Sequence, residues 1–310
     1  LVQPGQESRR ALPDGVHVAK LNAKAGGTTW TGSLDMPRGC GTPDACPIRF
    51  ALSADEIALA RMSEWISARP KARPWYRVLD AGGKPGPSVL ARLHASGRLT
   101  ASRFVVHGVP AADVSASVKI DGGKLQILEL NANLFGGKHR GRWQADFSVT
   151  PSVCNGSGTL AGLSLDRVAD EMGDEWIAGT ANGSYELKGL CTAEFWQSAE
   201  GTLQVDMKDG ALPHVVIGEA GEALKITHLS GHARLREEKI EITPAMLDST
   251  NAEFQLSGTA SLKRELDLKL ARIAPDTLPA GYEITGTLAE PRISALSNTE
   301  QARLKPLPPK

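Results

Sequence analysis

The sequence predicts a mainly β protein, built as an elongated, curved antiparallel sheet of repeated hairpins with one or two short helices. Three observations predict it. Polar and apolar residues alternate with a period of two in many short segments, which is typical of half-buried strands. A phrase of glycine, a small polar residue and an alternating segment recurs along the chain. Helix start and stop signals occur together at only two places.

The clearest strands lie on either side of glycine turns. Residues 118–120 and 125–127 flank Gly122-Gly123, a pattern that predicts a tight hairpin. Residues 203–207 alternate, and the following Lys208-Asp209-Gly210 predicts the end of that strand. Residues 266–270 alternate leucine with charged residues, which gives the strand one apolar face and one wet face.

The recurring glycines predict irregular or closely packed points within the strands. A glycine inside a strand indicates a bulge, a bend or a close approach of another backbone. Consecutive hairpins that all bend alike form a curved antiparallel sheet. The recurring phrases are centred on Gly97, Gly158, Gly179, Gly201, Gly231, Gly258 and Gly286.

Two segments predict helices. Ser53 and Glu56 form a capping box, which predicts a helix over residues 54–68 that Pro70 ends. Ser164 as a cap and Gly173 as a terminator predict a shorter helix over residues 165–172.

These elements predict four regions. Residues 1–79 hold N-terminal strands, a cysteine loop and a helix, and the Gly/Pro-rich residues 80–90 form a linker. Residues 91–297 form the repeated β-hairpin groove region, and the Pro-rich residues 298–310 form a disordered tail. The chain starts at Leu1 without an initiator Met or a signal segment, so we interpret it as part of a longer protein.

Charge and hydropathy exclude several classes of protein. Lys+Arg 35 against Asp+Glu 35 gives a formal net charge of +0, which argues against a nucleic-acid binder. No apolar run approaches the roughly 18 residues of a membrane span. Residues 65–76 combine basic and aromatic side chains, which fits a connector packed on the sheet, a contact with lipid headgroups or, least of the three, a contact with a nucleic-acid strand.

The search for catalytic motifs predicts a protein that is not an enzyme and has no cofactor or metal. No G-x-S-x-G elbow occurs, and the Gly-Gly-Lys phrases at Gly82, Gly122 and Gly136 lack the rest of a phosphate-binding loop. Residues 156–161 match a relaxed dinucleotide fingerprint but lead into a strand-like segment, whereas the fingerprint must open a helix. The histidines are scattered.

Four cysteines, Cys40, Cys46, Cys154 and Cys191, leave two interpretations open. An even number fits disulfides in an oxidising compartment, and four free thiols in the cytosol are the alternative. Cys40 and Cys46 flank a short loop that could close on itself. Cys154 and Cys191 lie at the ends of segments predicted to be neighbouring strands.

The apolar face of each alternating strand must be shielded from water by another part of the protein or by a ligand. Either a second sheet closes over the first, or the sheet curls and leaves an apolar groove that a lipid chain fills. Burying a CH₂ contributes about 0.8 kcal/mol, so a chain of about sixteen carbons gains on the order of 12 kcal/mol in such a groove. The candidate groove residues, which an ordinary closed core would also explain, are Val118, Ile120, Leu125, Ile127, Leu203, Val205, Leu266, Leu268 and Leu270.

Several phrases, in this order, carry a family resemblance. The chain resembles the C-terminal, periplasmic part of AsmA family proteins over nearly all of residues 15–295. The phrases are FALSADEI at residues 50–57, RPWYR at 73–77, LELNANLFGG at 128–137, GSGTL at 156–160, LSGTA at 256–260 and GTLAEPR at 286–292.

The resemblance implies a function and an address. AsmA-like proteins lie in the periplasm, anchored to the inner membrane by an N-terminal helix that this sequence lacks. They are related to bridge-like lipid transfer proteins built of β-groove units, and they are linked to phospholipid movement and to outer-membrane protein assembly. The implied function is therefore to hold or conduct phospholipid in support of outer-membrane biogenesis. The alternative is a non-enzymatic scaffold that assists outer-membrane assembly proteins. A periplasmic address implies the disulfides Cys40–Cys46 and Cys154–Cys191.

Overall fold

The computed structural model describes residues 9–12, 15–37, 47–58, 93–106, 109–192, 194–217, 223–250, 252–273 and 281–296. The chain divides into two compact units. Unit 1 comprises Leu1–Leu134, His139–Gly156 and Leu190–Glu194. Unit 2 comprises Phe135–Lys138, Ser157–Gly189 and Phe195–Lys310.

Unit 1 is a ladder of strands in chain order. The strands are β1 (Arg9–Leu12), β2 (Gly15–Ala25), β3 (Thr28–Pro37), β4 (Ile48–Ala58), β5 (His94–Val106), β6 (Val109–Asp121), β7 (Lys124–Leu134) and most of β8 (Gly137–Asp146). From β1 to β7 each strand pairs with the next in antiparallel fashion, except that β4 and β5 are parallel. β8 is the neighbour of β7 in the sheet.

Unit 2 is a second ladder of strands. Its strands are most of β9 (Val153–Ser164), β10 (Ala178–Leu190), β11 (Glu200–Val216), β12 (Ala223–Arg236), β13 (Lys239–Ser249), β14 (Ala252–Ser261), β15 (Glu265–Arg272), β16 (Gly281–Thr287) and β17 (Pro291–Ala295). The ladder is entirely antiparallel from β10 to β17, and β9 pairs with β10.

Two short helices occur among the described residues, α1 (Leu165–Glu171) and α2 (Phe195–Ser198). The prediction of α1 is confirmed. The Ser164 hydroxyl accepts a hydrogen bond from the backbone N–H of Arg167, and Gly173 adopts a positive φ of 72° just past the end of the helix. The predicted fold class, mainly β with antiparallel hairpins and one or two short helices, is confirmed.

The predicted helix over residues 54–68 is wrong at its start. β4 continues to Ala58, and Ala54 lies opposite Trp30 on one side and Ala101 on the other. Helix-forming residues are overridden here because both edges of β4 are paired and Ile57 is buried. Residues 59–68, the predicted linker at 80–90 and the predicted tail at 298–310 lie outside the described residues.

The predicted end of a strand at Lys208-Asp209-Gly210 is also wrong. β11 runs on to Val216. Asp209 has a φ of 50°, and the register with β10 shifts by a residue at the same level. The tripeptide therefore forms a β-bulge, which bends the strand without ending it.

One disulfide joins Cys154 on β9 to Cys191, which directly follows β10, with a Cα–Cα distance of 5.1 Å. The prediction of this pair is confirmed. Cys40 and Cys46 lie outside the described residues. None of the helices in the described ranges is both long and apolar enough to span a membrane.

Candidate functional site

A row of apolar residues crosses all of the ladder from β10 to β17 in unit 2. Residues directly opposite each other in an antiparallel pair share one face of the sheet. The register places eight such residues side by side, one from each strand. In order they are Tyr185, Leu203, Ala233, Ile242, Gly258, Leu268, Ile284 and Ile293. We call this set the apolar row.

The neighbouring row, one residue further along each strand, is polar throughout. Because successive side chains point to opposite faces, this polar row lies on the other side of the sheet. It consists of Glu186, Thr202, Arg234, Glu241, Thr259, Asp267, Thr285 and Arg292. The next row is again apolar or glycine: Leu187, Gly201, Leu235, Ile240, Ala260, Leu266, Gly286 and Pro291. Unit 2 therefore has one apolar face and one polar face.

Part of the apolar face of unit 2 is covered, and the rest is open to solvent. A core cluster that includes Met207, Leu247 and Phe254 is buried there, and Leu165 and Ile177 pack against it. Other side chains of the same face remain open to solvent. Leu203 and Ile242 are only half-buried, and Val205 is 39% exposed. Exposed apolar patches of this kind mark interaction sites, so this partly uncovered surface is a candidate site for an apolar ligand.

Unit 1 repeats this separation of faces. Its apolar row consists of Val18, Leu34, Phe50, Gly97, Val118 and Ile127, one from each of β2 to β7. Its neighbouring polar row consists of His17, Asp35, Arg49, Ser96, Lys119 and Gln126. A second core cluster, Ala54, Ile57, Ala101 and Val114, lies further along the apolar face.

All nine candidate groove residues lie on these apolar faces. Val118 and Ile127 belong to the apolar row of unit 1, and Ile120 faces Leu125 in the next apolar pair. Leu203 and Leu268 belong to the apolar row of unit 2, and Leu266 to the parallel row beside it. Val205 lies opposite Gly231, and Leu270 lies between Leu256 and Tyr282. Leu270 and Val118 are buried, so these two side chains belong to a closed core and do not line an open groove.

Sequence reasoning missed other members of the same faces. Ile242, Ile284 and Ile293 continue the apolar row beyond the predicted residues. The alternation of Ile240 and Ile242 with charged residues is the signal that could have found β13. Which residues of adjacent strands lie side by side in the row depends on the inter-strand register, and alternation alone does not predict that register.

Glycines on the apolar faces let the strands approach closely. A Cβ on Gly97 would lie 1.9 Å from the carbonyl oxygen of Phe50, and one on Gly258 would lie 2.2 Å from that of Asp267. The prediction that the recurring glycines mark close backbone approaches is confirmed at these two positions.

The polar face of unit 2 carries a histidine between two carboxylates. The Nε2 atom of His228 lies 2.8 Å from an Asp206 oxygen, and its Nδ1 atom lies 3.6 Å from an Asp248 oxygen. The hydrogen bond from His228 lowers the pKa of Asp206. These side chains are well exposed, so the interactions contribute little stability. Within the described ranges, no group of three or more His, Cys, Asp or Glu side chains could hold a metal ion.

One histidine lies on an apolar face. On β8, His139 alternates with Lys138 and Arg140 and shares its face with Trp143 and Ala145. Its side chain is buried, and burial lowers its pKa. Burial therefore favours the neutral form of the imidazole, which is the form compatible with an apolar surface.

The comparison with protein families agrees with this architecture. The fold and its two-faced ladders define a β-sheet protein that offers an extended apolar surface. The model of the AsmA family matches residues 89–256, which is more than half of the chain. The chain belongs to the AsmA family. Comparison with curated proteins and with solved structures gave no significant match.

Proposed function

We propose that this chain holds or conducts phospholipid, with the acyl chains lying on the apolar faces of its ladders, in support of outer-membrane biogenesis. The observation that carries the proposal is the apolar row of unit 2, eight residues from eight adjacent strands with a polar row behind it. Membership of the AsmA family is consistent with this function.

The proposed mechanism needs no catalytic side chain and no cofactor. An acyl chain that leaves a membrane exposes its methylenes to water at about 0.8 kcal/mol each. An apolar surface of half-buried side chains such as Leu203, Val205 and Ile242 replaces the membrane interior and lowers that cost. The polar face meanwhile keeps the other side of the ladder in water.

The proposed location is the periplasm, in a protein anchored to the inner membrane. The disulfide between Cys154 and Cys191 supports an oxidising compartment. The family supports the same address.

Photo-crosslinking at two adjacent residues tests the function. A photoreactive p-benzoylphenylalanine replaces Val205 on the apolar face or, as the matched control, Gln204 on the polar face. Both side chains are exposed, so access to solvent is similar. The purified chain is then irradiated with vesicles of phosphatidylethanolamine and phosphatidylglycerol.

We expect phospholipid adducts, detected by mass spectrometry, at position 205 and not at position 204. Equal labelling at the two positions, or none at 205, would contradict the proposal. The same pair of probes used in cells distinguishes the scaffold alternative, for which position 205 would trap outer-membrane assembly proteins and no lipid.

A further inference from the structure

The ladder of unit 2 curls until strands far apart in its order meet. His214 lies on β11, whereas Leu288 lies between β16 and β17, 74 residues further along the chain. Their contact joins the imidazole Nδ1 to the Leu288 carbonyl oxygen at 3.2 Å. Since a carbonyl only accepts, Nδ1 carries the proton and donates it. Strands β12 to β16 lie between β11 and β17 in the ladder, so this bond joins segments that are not neighbours in the sheet.

A second contact between distant parts of the chain starts from the β14–β15 turn. The guanidinium Nη2 of Arg264 donates to the carbonyl oxygen of Met172, at the end of α1, with a distance of 2.8 Å. The two contacts are linked, because the backbone N–H of Leu288 donates to the carbonyl oxygen of Arg264 at 2.9 Å.

A third contact completes a ring. The Nε2 atom of His214 lies 3.8 Å from Oδ1 of Asp174, two residues beyond Met172. The ring therefore runs from Met172 to Arg264, Leu288, His214 and Asp174 and back to the segment that follows α1. We call these five residues the clasp.

The clasp ties down the segment that covers part of the apolar face. Leu165, at the start of α1, and Ile177, three residues beyond Asp174, pack against the core cluster that includes Met207 and Phe254. Met172 and Asp174 lie between these two residues in the chain and are the points at which the clasp holds the segment. The clasp therefore joins a covering segment, residues 165–177, to β11 and to the turns that carry Arg264 and Leu288.

The closed clasp has a cost that opening would relieve. The second carboxylate oxygen of Asp174 and the indole N–H of Trp176 are buried without a hydrogen-bond partner among the described residues. Buried polar groups are normally paired, so water that reached these atoms would stabilise an open state. The contacts that hold the clasp are themselves partly exposed, with His214 at 32% and Asp174 at 15%.

We propose that the clasp is a gate on the apolar face of unit 2, which opens to let an acyl chain enter or leave and closes over it. This inference rests on the proposed function. The ring of contacts makes the gate cooperative, since loss of either Arg264 or His214 breaks it.

Lipid release kinetics test the gate in the full chain. The wild type and the variants Arg264→Ala, His214→Ala and the double variant are loaded with pyrene-labelled phosphatidylcholine. They are then mixed with unlabelled vesicles of phosphatidylethanolamine and phosphatidylglycerol. We expect each single variant to release lipid about fivefold faster, the effect of losing one hydrogen bond. The increase in release rate in the double variant should be smaller than the two single effects combined, because both residues act in one ring.

The controls separate the gate from general damage. Arg234→Ala and His232→Ala remove the same residue types from the polar face, and their release rates should equal that of the wild type. Arg264→Lys keeps a donor and should restore part of the slow release. Wild-type rates in both single variants would overturn the gate while leaving the proposed function intact. Failure of the wild type to take up the labelled lipid would overturn both.

Discussion

The carbonyl oxygen of Glu186 occupies the place where a side chain on Gly201 would begin: a Cβ on Gly201 would lie 1.9 Å from it. Gly201 stands between Leu187 and Leu235 on the apolar face of unit 2. The strands can approach this closely only because one of the residues in the row has no side chain.

Gly201→Ala should therefore destabilise unit 2. The new methyl group forces backbone displacement, which typically costs about 1–3 kcal/mol. Urea denaturation followed by circular dichroism measures the change. The control is Thr202→Ala, an exposed substitution on the other face of the same strand, with an expected effect within about 0.5 kcal/mol. If the two variants unfolded at the same urea concentration, the close approach would not be a packing constraint.

The sequence predicts on which face of the sheet a residue lies, but it does not predict which residues of different strands lie side by side in one row. Leu203 and Leu268 were assigned to apolar faces because alternation fixes the side of the sheet to which a residue points. Their membership of one row depends on the register of the four strand pairs from β11 to β15, which alternation within a strand does not give.

The two wrong predictions of secondary structure also arise because pairing between strands overrides local sequence signals. Ser53 and Glu56 are sound helix-start residues, yet pairing with β3 and β5 holds this segment in a strand. Lys208-Asp209-Gly210 has the composition of a turn and forms a bulge because the partner strands continue past it. The clasp left no signal in the sequence, since its members lie up to 116 residues apart, from Met172 to Leu288, and meet only when the ladder curls.

Two methionines of the ladder, one on β11 and one on β13, provide a test of which face carries the core. Met207 is 1% exposed within the core cluster, whereas Met246 is 41% exposed on the polar side. Met207→Ala should cost about 2–5 kcal/mol, because it leaves a cavity among packed side chains. Met246→Ala should change the free energy of unfolding by less than about 0.5 kcal/mol. Thermal or urea unfolding of the two variants measures the difference, and equal losses would contradict the assignment of faces.

The disulfide should contribute measurably to the stability of unit 1. Cys154 and Cys191 close a loop with a sequence separation of 37, for which the lost chain entropy corresponds to about 2–4 kcal/mol. The double variant Cys154→Ser/Cys191→Ser should unfold at a correspondingly lower denaturant concentration. Wild-type protein treated with a reductant is the control and should approach the variant. An unchanged midpoint in both would show that the bond does not constrain the unfolded chain.

His139 predicts a pH dependence of stability whose sign follows from its burial. Burial lowers its pKa in the folded state below 6.5, so the unfolded chain binds the proton at higher pH than the folded chain does. The stabilisation is therefore complete above pH 6.5 and is lost as the pH falls towards the lowered folded-state pKa. His139→Gln, which stays neutral, should lose less stability than the wild type between about pH 7.5 and about pH 5. The measurement is the urea midpoint at each pH, with the exposed His232→Gln as the control that keeps the wild-type dependence. An identical pH dependence in His139→Gln and the wild type would mean that the imidazole protonates equally well in the folded and unfolded chain, and hence that β8 does not place it in an apolar environment.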